Sequence, residues 1–123
     1  MNAKRALVVE DDAALRKMVK GYLEMMKYQV LEAGDGKKAM SALRETDFAL
    51  VVLDLMLPES SGFDVLEFMH ANGKTNIPVM MMSARAFPED RAHAEELGAR
   101  LYLIKPFTRA EFTRAVQAVT EGV

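Results

Sequence analysis

The chain has no cysteine, so a disulfide framework and a thiolate metal site are both excluded. It also has no apolar stretch long enough for a membrane span or a signal peptide, and no long basic run of the kind that marks a nucleic-acid footprint or a polybasic anchor. Net charge is only −2. These gaps set three expectations: a cytoplasmic location, no membrane contact and no nucleic acid as a direct partner. Repeats, linkers and low-complexity tracts are missing too, and 123 residues are too few for two ordinary domains. What is present is the material of a core. Half of the residues are hydrophobic against 28% charged, so residues 1–123 read as one globular domain. Ten methionines are many. Met80 to Met82 fall in a strand-like run and Met18 and Met26 on a helical stripe, which assigns them to adaptable core filling.

The chain alternates between two periods. Ala6 to Val9 is a short apolar run ending in Glu10-Asp11-Asp12, after which Leu15, Met18, Val19, Tyr22, Leu23 and Met26 recur at helical spacing with Asp12 as N-cap. Gln29 to Ala33 reads as a second, more polar strand, and Gly34-Asp35-Gly36 as a turn capping a helix through about Glu45. Ala49 to Leu53 is continuously apolar and drives a carboxylate, Asp54, out of its end; Pro58 and Gly62 then break the chain before a helix that stops at Asn72-Gly73. Ile77 to Ser83 is a fourth strand. Pro88 suits the first turn of an Ala- and Glu-rich helix ending at Leu97-Gly98, which has little apolar surface and should pack less firmly. Leu101 to Ile104 is a fifth strand, and Thr108 with Glu111 forms a capping box opening a helix with Phe112, Ala115, Val116 and Val119 inward.

Five strands alternating with five helices predict an α/β fold: a doubly wound, five-stranded parallel sheet with helices on both faces. The first, third and fourth strands are the most apolar and belong in the middle, which favours the order 2-1-3-4-5. Glu10, Asp11 and Asp54 then share one pocket at the carboxyl rim, where ligands of such sheets bind. Three crowded carboxylates repel one another unless a cation joins them, and Mg²⁺, held by carboxylates plus a phosphate, suits the set. Ser83 and Lys105 close the fourth and fifth strands on the same rim and offer a hydroxyl and a positive charge. Asp12 reads as a helix cap rather than a ligand. His70 and His93 match no ligand pattern and read as surface residues.

Val8-Val9-Glu10-Asp11, Asp54 with Pro58 and Gly62, Ser83-Ala84 and Lys105-Pro106-Phe107 together resemble the receiver domains of two-component response regulators, over essentially the whole chain. The resemblance implies a flavodoxin-like receiver fold and a signalling role in a phosphorelay rather than a classical enzyme. By it, Asp54 accepts a phosphoryl group from a histidine kinase or histidine phosphotransfer protein. Glu10, Asp11, Asp54 and the backbone carbonyl of Met56 hold Mg²⁺, with Asp11 the more direct of the two strand-1 acids. Lys105, followed by a cis bond to Pro106, points into the pocket and stabilises charge. Ser83 and Tyr102 act as the switch, with Tyr102 turning inwards on phosphorylation to control a protein partner at the fourth helix, fifth strand and fifth helix. Leu15, Met18, Pro106 and Phe107 form a kinase-docking patch.

Arg100 and Leu101 stand where many DNA-binding relatives carry an acidic pair used in dimer salt bridges, so that dimer is not expected. Whether the chain stands alone or is excised from a longer protein is left open. Two positions flanking the pocket mouth, Met56 and Arg85, are expected to slow loss of the phosphoryl group: Met56 by covering the pocket, Arg85 by holding phosphoryl oxygens. The rivals are a pseudo-receiver that binds partners without phosphorylation and a Mg-dependent aspartyl-phosphate hydrolase. The first should have lost Asp54, Asp11 or Lys105, and all three are present; the second needs an acid two residues past Asp54, where Met56 stands. A nucleotide-binding module would need a phosphate-cradling loop where Glu10-Asp11-Asp12 stands.

Overall fold

A computed structural model describes residues 4–85 and 87–121. Five strands, β1 (Arg5–Val9), β2 (Gln29–Ala33), β3 (Leu50–Asp54), β4 (Val79–Ser83) and β5 (Leu101–Ile104), pair in parallel in the order β2-β1-β3-β4-β5. Five helices alternate with them: α1 (Ala13–Met25), α2 (Gly36–Glu45), α3 (Gly62–Ala71), α4 (Pro88–Glu96) and α5 (Arg109–Thr120). This is the doubly wound sheet that the periodicity predicted.

Strand alternation sorts the core into two halves. Leu7, Val9, Val51, Leu53, Val79 and Met81 face one way and meet Ala39, Leu43, Val65, Leu66, Met69 and Ala94 from α2, α3 and α4. Ala6, Val8, Leu50, Val52, Met80 and Met82 face the other way and meet Val19, Leu23, Phe112, Ala115, Val116 and Val119 from α1 and α5. Successive side chains of a strand leave from opposite faces, so a strand that is apolar at every position is one covered on both sides. β3 and β4 are buried at every residue, which is why Met80, Met81 and Met82 are core filler as expected. Met18 is not: it stays 39% exposed because the buried stripe of α1 centres on Val19 and Leu23 and leaves Met18 on its flank.

Helix ends follow the local signals. The Asp12 carboxylate accepts from the N–H groups of Ala14 and Leu15, Asp35 caps α2, and reciprocal capping boxes join Ser61 to Asp64 and Thr108 to Glu111. α3 ends at Asn72, and Gly73 takes the left-handed conformation, φ +70°, that glycine adopts without strain. α4 alone lacks a side-chain cap, since Phe87 at its N-cap makes no such bond. Like α1 it has two buried residues, but these are Asp90 and Ala94 rather than large apolar ones. Between β3 and α3, Met56–Leu57 pairs with Ser60–Ser61 as a two-residue antiparallel ribbon that brings the chain straight back to the end of β3. Gly62 closes that return: its N–H donates to the Leu55 carbonyl at 2.7 Å, and a Cβ there would lie 2.6 Å from the Asp54 carbonyl oxygen.

Candidate functional site

β1, β3, β4 and β5 deliver their last residues to one rim, and the register decides which groups meet. Asp54, the final residue of β3, lies opposite Met82 of β4 and is 4% exposed. One of its oxygens, Oδ1, accepts the Met56 N–H at 3.2 Å, and the other, Oδ2, accepts from the Lys105 ammonium at 3.0 Å. Lys105 also donates to Glu10 Oε1 at 2.6 Å, so one cation bridges the carboxylates that follow β1 and end β3. Its position is set by the backbone: the Lys105 N–H donates to the Ser83 carbonyl at 2.8 Å, prolonging the β4–β5 ladder, and Lys105–Pro106 is cis.

Glu10 is buried, and its second oxygen accepts the Asp12 N–H at 3.1 Å. Asp11 is exposed, and among the described residues nothing donates to its carboxylate. Oxygens of Glu10, Asp11 and Asp54 lie within 4.8 Å of one another. Three carboxylates facing one ammonium leave an excess of negative charge, and every donor is a hard oxygen, so the residues present fit a divalent cation such as Mg²⁺. Burial alone would depress the Lys105 ammonium, but its hydrogen bonds to Glu10 and Asp54 and the charges of both outweigh that, raising it above the ordinary lysine value. It is therefore a cation at neutral pH, held against the Glu10 and Asp54 carboxylates.

On the other wall, Ser83 is fully buried and its Oγ accepts the Arg85 N–H at 3.0 Å. Tyr102 faces inwards, 8% exposed, with its hydroxyl donating to the Arg85 carbonyl at 2.9 Å. The inward position expected only after phosphorylation is thus already occupied, because that carbonyl gives the phenol a partner inside the fold. Arg85 is engaged by the start of α4. Its guanidinium meets Asp90 at 2.9 Å and lies over the Phe87 ring, 5.3 Å from the centroid. The Asp90 oxygen is not aligned with an N–H, so the contact is an ion pair rather than a hydrogen bond. Met56 is 53% exposed and, with Phe63 and Arg85, lines a cavity of about 320 Å³ beside the pocket.

The four residues of the expected docking patch divide in two. Met18 and Pro106 are exposed, whereas Leu15 is half-buried against the core and Phe107 is half-buried, stacked on Phe112 at 5.6 Å. Both histidines are exposed, with His93 resting edge-on against Phe63. Arg100 reaches back to the Val119 carbonyl at 3.4 Å. Three residues escaped the sequence reading. Asp90 looked solvated in a polar helix, and nothing local marked its burial. Arg16 and Glu32 form an ion pair at 2.9 Å behind the acidic turn; the one signal was a charge, Glu32, inside a strand otherwise fit for burial.

A sequence profile described as the response regulator receiver domain matches residues 6–117. The phosphate regulon transcriptional regulatory protein PhoB of Klebsiella pneumoniae is 41% identical over 122 residues, covering 98% of this chain and 53% of that protein. The transcriptional regulatory protein SrrA of Staphylococcus aureus is 34% identical over 113 residues, covering 92% of this chain and 46% of its own length. The chain therefore spans about half the length of these curated relatives. Among solved structures, the non-phosphorylated HemR receiver domain of Leptospira biflexa superposes with a TM-score of 0.89 at 37% identity, covering 98% of this chain and 96% of that one. The chemotaxis response regulator CheY4 of Vibrio cholerae gives a TM-score of 0.89 at 25% identity, over 96% and 99%.

Proposed function

This chain belongs to the response regulator receiver domains of two-component signalling, and from that premise we propose that Asp54 is its phosphoacceptor. Receiver domains are signalling modules, and an acidic pocket for Mg²⁺ is a general feature of the family. We take residues 1–123 as one such domain, acting in the cytoplasm. The observation that carries the reading is the Lys105 ammonium joined to both Glu10 and Asp54, beside an Asp11 carboxylate left open to a cation.

An Asp54 oxygen attacks the phosphorus of a phosphohistidine on a histidine kinase or phosphotransfer protein. The P–N bond breaks as the new P–O bond forms, and the imidazole leaves with a proton. Lys105 stabilises the oxygens that gain charge in the transition state, and Asp54 needs no general base because the carboxylate is itself the nucleophile. Glu10, Asp11, Asp54 and the Met56 carbonyl would hold Mg²⁺, which supplies further charge neutralisation on the phosphoryl oxygens. Water later cleaves the aspartyl phosphate, so the chain catalyses only its own phosphorylation and dephosphorylation.

The acyl phosphate then competes for groups that now hold the β4–α4 loop. Ser83 can donate its hydroxyl to the new oxygens, drawing in a loop tied to Tyr102 through the Arg85 carbonyl. α4, β5 and α5 form the output face for a protein partner, while exposed Met18 and Pro106, flanked by Leu15 and Phe107, receive the phosphodonor. The test is an NMR titration with Mg²⁺ and beryllofluoride. Shifts centred on Asp54, Ser83 and Lys105 are expected; no response would leave a pseudo-receiver. Ser83→Ala should still be phosphorylated but shift less, and full partner binding by phosphorylated Ser83→Ala would remove Ser83 from the switch.

A further inference from the structure

Arg16 sits behind the acidic turn rather than in the pocket. Its Nε donates to Glu32 Oε1 at 2.9 Å and its Nη1 donates to the backbone carbonyl of Glu10 at 3.0 Å. The side chain is 18% exposed. That carbonyl needs an outside donor for a topological reason. β1 and β2 stay in register as far as Val9 and Ala33, and the Glu10 N–H takes a last rung by donating to the Ala33 carbonyl at 3.1 Å. The chain after Ala33 then leaves the sheet for α2, with Asp35 already the cap of that helix. Arg16 supplies the donor that a longer β2 would have supplied, sparing a buried residue an unpaired carbonyl.

The guanidinium can do this because its donors sit in a rigid fork, and Glu32 fixes one edge of that fork. Lys17 and Lys20 also approach Glu32, at 3.4 and 3.6 Å, but among the described residues neither reaches the acidic turn. The other groups of the turn are tied as well: the Glu10 carboxylate to Lys105 and the Asp12 N–H, the Asp12 carboxylate to Ala14 and Leu15. Of the three acids in this turn, Asp11 alone has no partner for its carboxylate among the described residues.

We propose that Arg16, oriented by Glu32, is a positioning residue for cation binding: by holding the Glu10 carbonyl it fixes the Glu10–Asp11 peptide and hence the direction of the Asp11 carboxylate. This rests on the metal reading given above. Groups that orient metal ligands from behind commonly change affinity 10–100-fold when removed. A purely electrostatic role has the opposite sign, because removing a positive charge beside a cation site tightens binding.

The experiment is a titration of the full chain with MgCl₂, followed by NMR at the backbone amides of Asp11, Asp54 and Met56, for wild type, Arg16→Met and Arg16→Lys. Melting temperatures are measured without Mg²⁺ in parallel. Positioning predicts about tenfold weaker Mg²⁺ binding in Arg16→Met, and weakening in Arg16→Lys as well, since lysine keeps the charge but not the two-pronged reach. Unchanged affinity in both variants, whatever the melting temperatures do, overturns the proposal. So does tighter binding by Arg16→Met with Arg16→Lys like wild type. Should Arg16→Met fail to fold, Arg16→Lys decides alone. A wild type with no Mg²⁺ response overturns the metal reading and this proposal together, whereas a normal wild-type response with unaltered variants overturns this proposal only.

Discussion

On the β1–α1 wall of the pocket, Glu10 is tied through its carboxylate to Lys105 and the Asp12 N–H and through its carbonyl to Arg16. On the β4–α4 wall, Arg85 is tied through its N–H to Ser83 Oγ, through its carbonyl to the Tyr102 hydroxyl, and through its side chain to Asp90. Both loops are held at three points, but by different kinds of group. The first is fastened by two cationic side chains, Lys105 and Arg16, and by one backbone N–H. The second is fastened by Ser83 and Tyr102, the groups proposed as the switch, and it leads into α4, where only Asp90 and Ala94 are buried. In the proposed mechanism the first wall supplies carboxylates for the cation and the second carries the response.

The sharpest break in this comparison comes from Asp54, the proposed acceptor. Asp54→Asn should abolish labelling by acetyl phosphate while leaving the fold unchanged by circular dichroism, because the amide is a poor nucleophile of nearly the same shape. Labelling that survives in the variant, or that is stable to acid, would move the acceptor elsewhere. Next in size is the contrast between the helices. Phe112→Ala on α5 should cost about 3–5 kcal/mol in urea unfolding, whereas Ala94→Gly, at the buried spot of α4, should cost about 1 kcal/mol. A cost for Ala94→Gly well above the propensity difference would mean that α4 is docked more firmly than its sparse burial indicates.

Phosphoryl lifetime is a smaller effect. Met56→Asn gives the pocket mouth a group that can orient water, and decay in excess Mg²⁺ without kinase should quicken about tenfold, or roughly 1.4 kcal/mol in the barrier. Arg85→Glu should do less through the phosphoryl group, since the guanidinium is engaged by Asp90; its larger effect should be on α4, where it sets two carboxylates against each other. Equal lifetimes for wild type and Met56→Asn would show that the side chain does not gate water. The smallest effect concerns Glu32. Its hydrogen bond from Arg16, opposed by partial burial and reinforced by the charges of Lys17 and Lys20, holds its carboxyl below the ordinary value of 4.5. A depressed folded value adds stability that is present above pH 4.5 and disappears as pH falls through the folded value. Wild type should therefore exceed Glu32→Gln by about 0.5 kcal/mol near neutrality and lose that margin in acid. A margin constant down to pH 3 would show that the pair is not ionic in origin.

Much of this was legible in the residue order because strands and helices imposed clear periods. The strands from Gln29 and Leu101 and the end of α2 at Glu45 fall where predicted, α2 takes in Gly36 from the expected turn, and β3 begins one residue later than its apolar run. Convergence of Glu10, Asp54, Ser83 and Lys105 followed from strand order alone, since each lies at or just beyond a strand's carboxyl end. Contacts that join distant segments through side chains were not legible. Nothing in the order of residues says that Arg16 turns towards Glu32 and the Glu10 carbonyl, or that Arg85 prefers Asp90. The ribbon of Met56–Leu57 with Ser60–Ser61 is too short to show alternation. Met18 misled for the reverse reason: a helical stripe has a width, and a residue at its edge fits the period while remaining half in water.

Gly62 carries a lesson for transplanting this pocket. A side chain there would press on the Asp54 carbonyl, on the Leu55 backbone and on Met81 at once. A designer who grafted the acids and the lysine onto another parallel sheet, but kept an ordinary residue at this turn, would lift the following helix off the strand and tilt the acceptor with it. The smallest residue of the chain is therefore as much a part of the graft as the carboxylate it lies against.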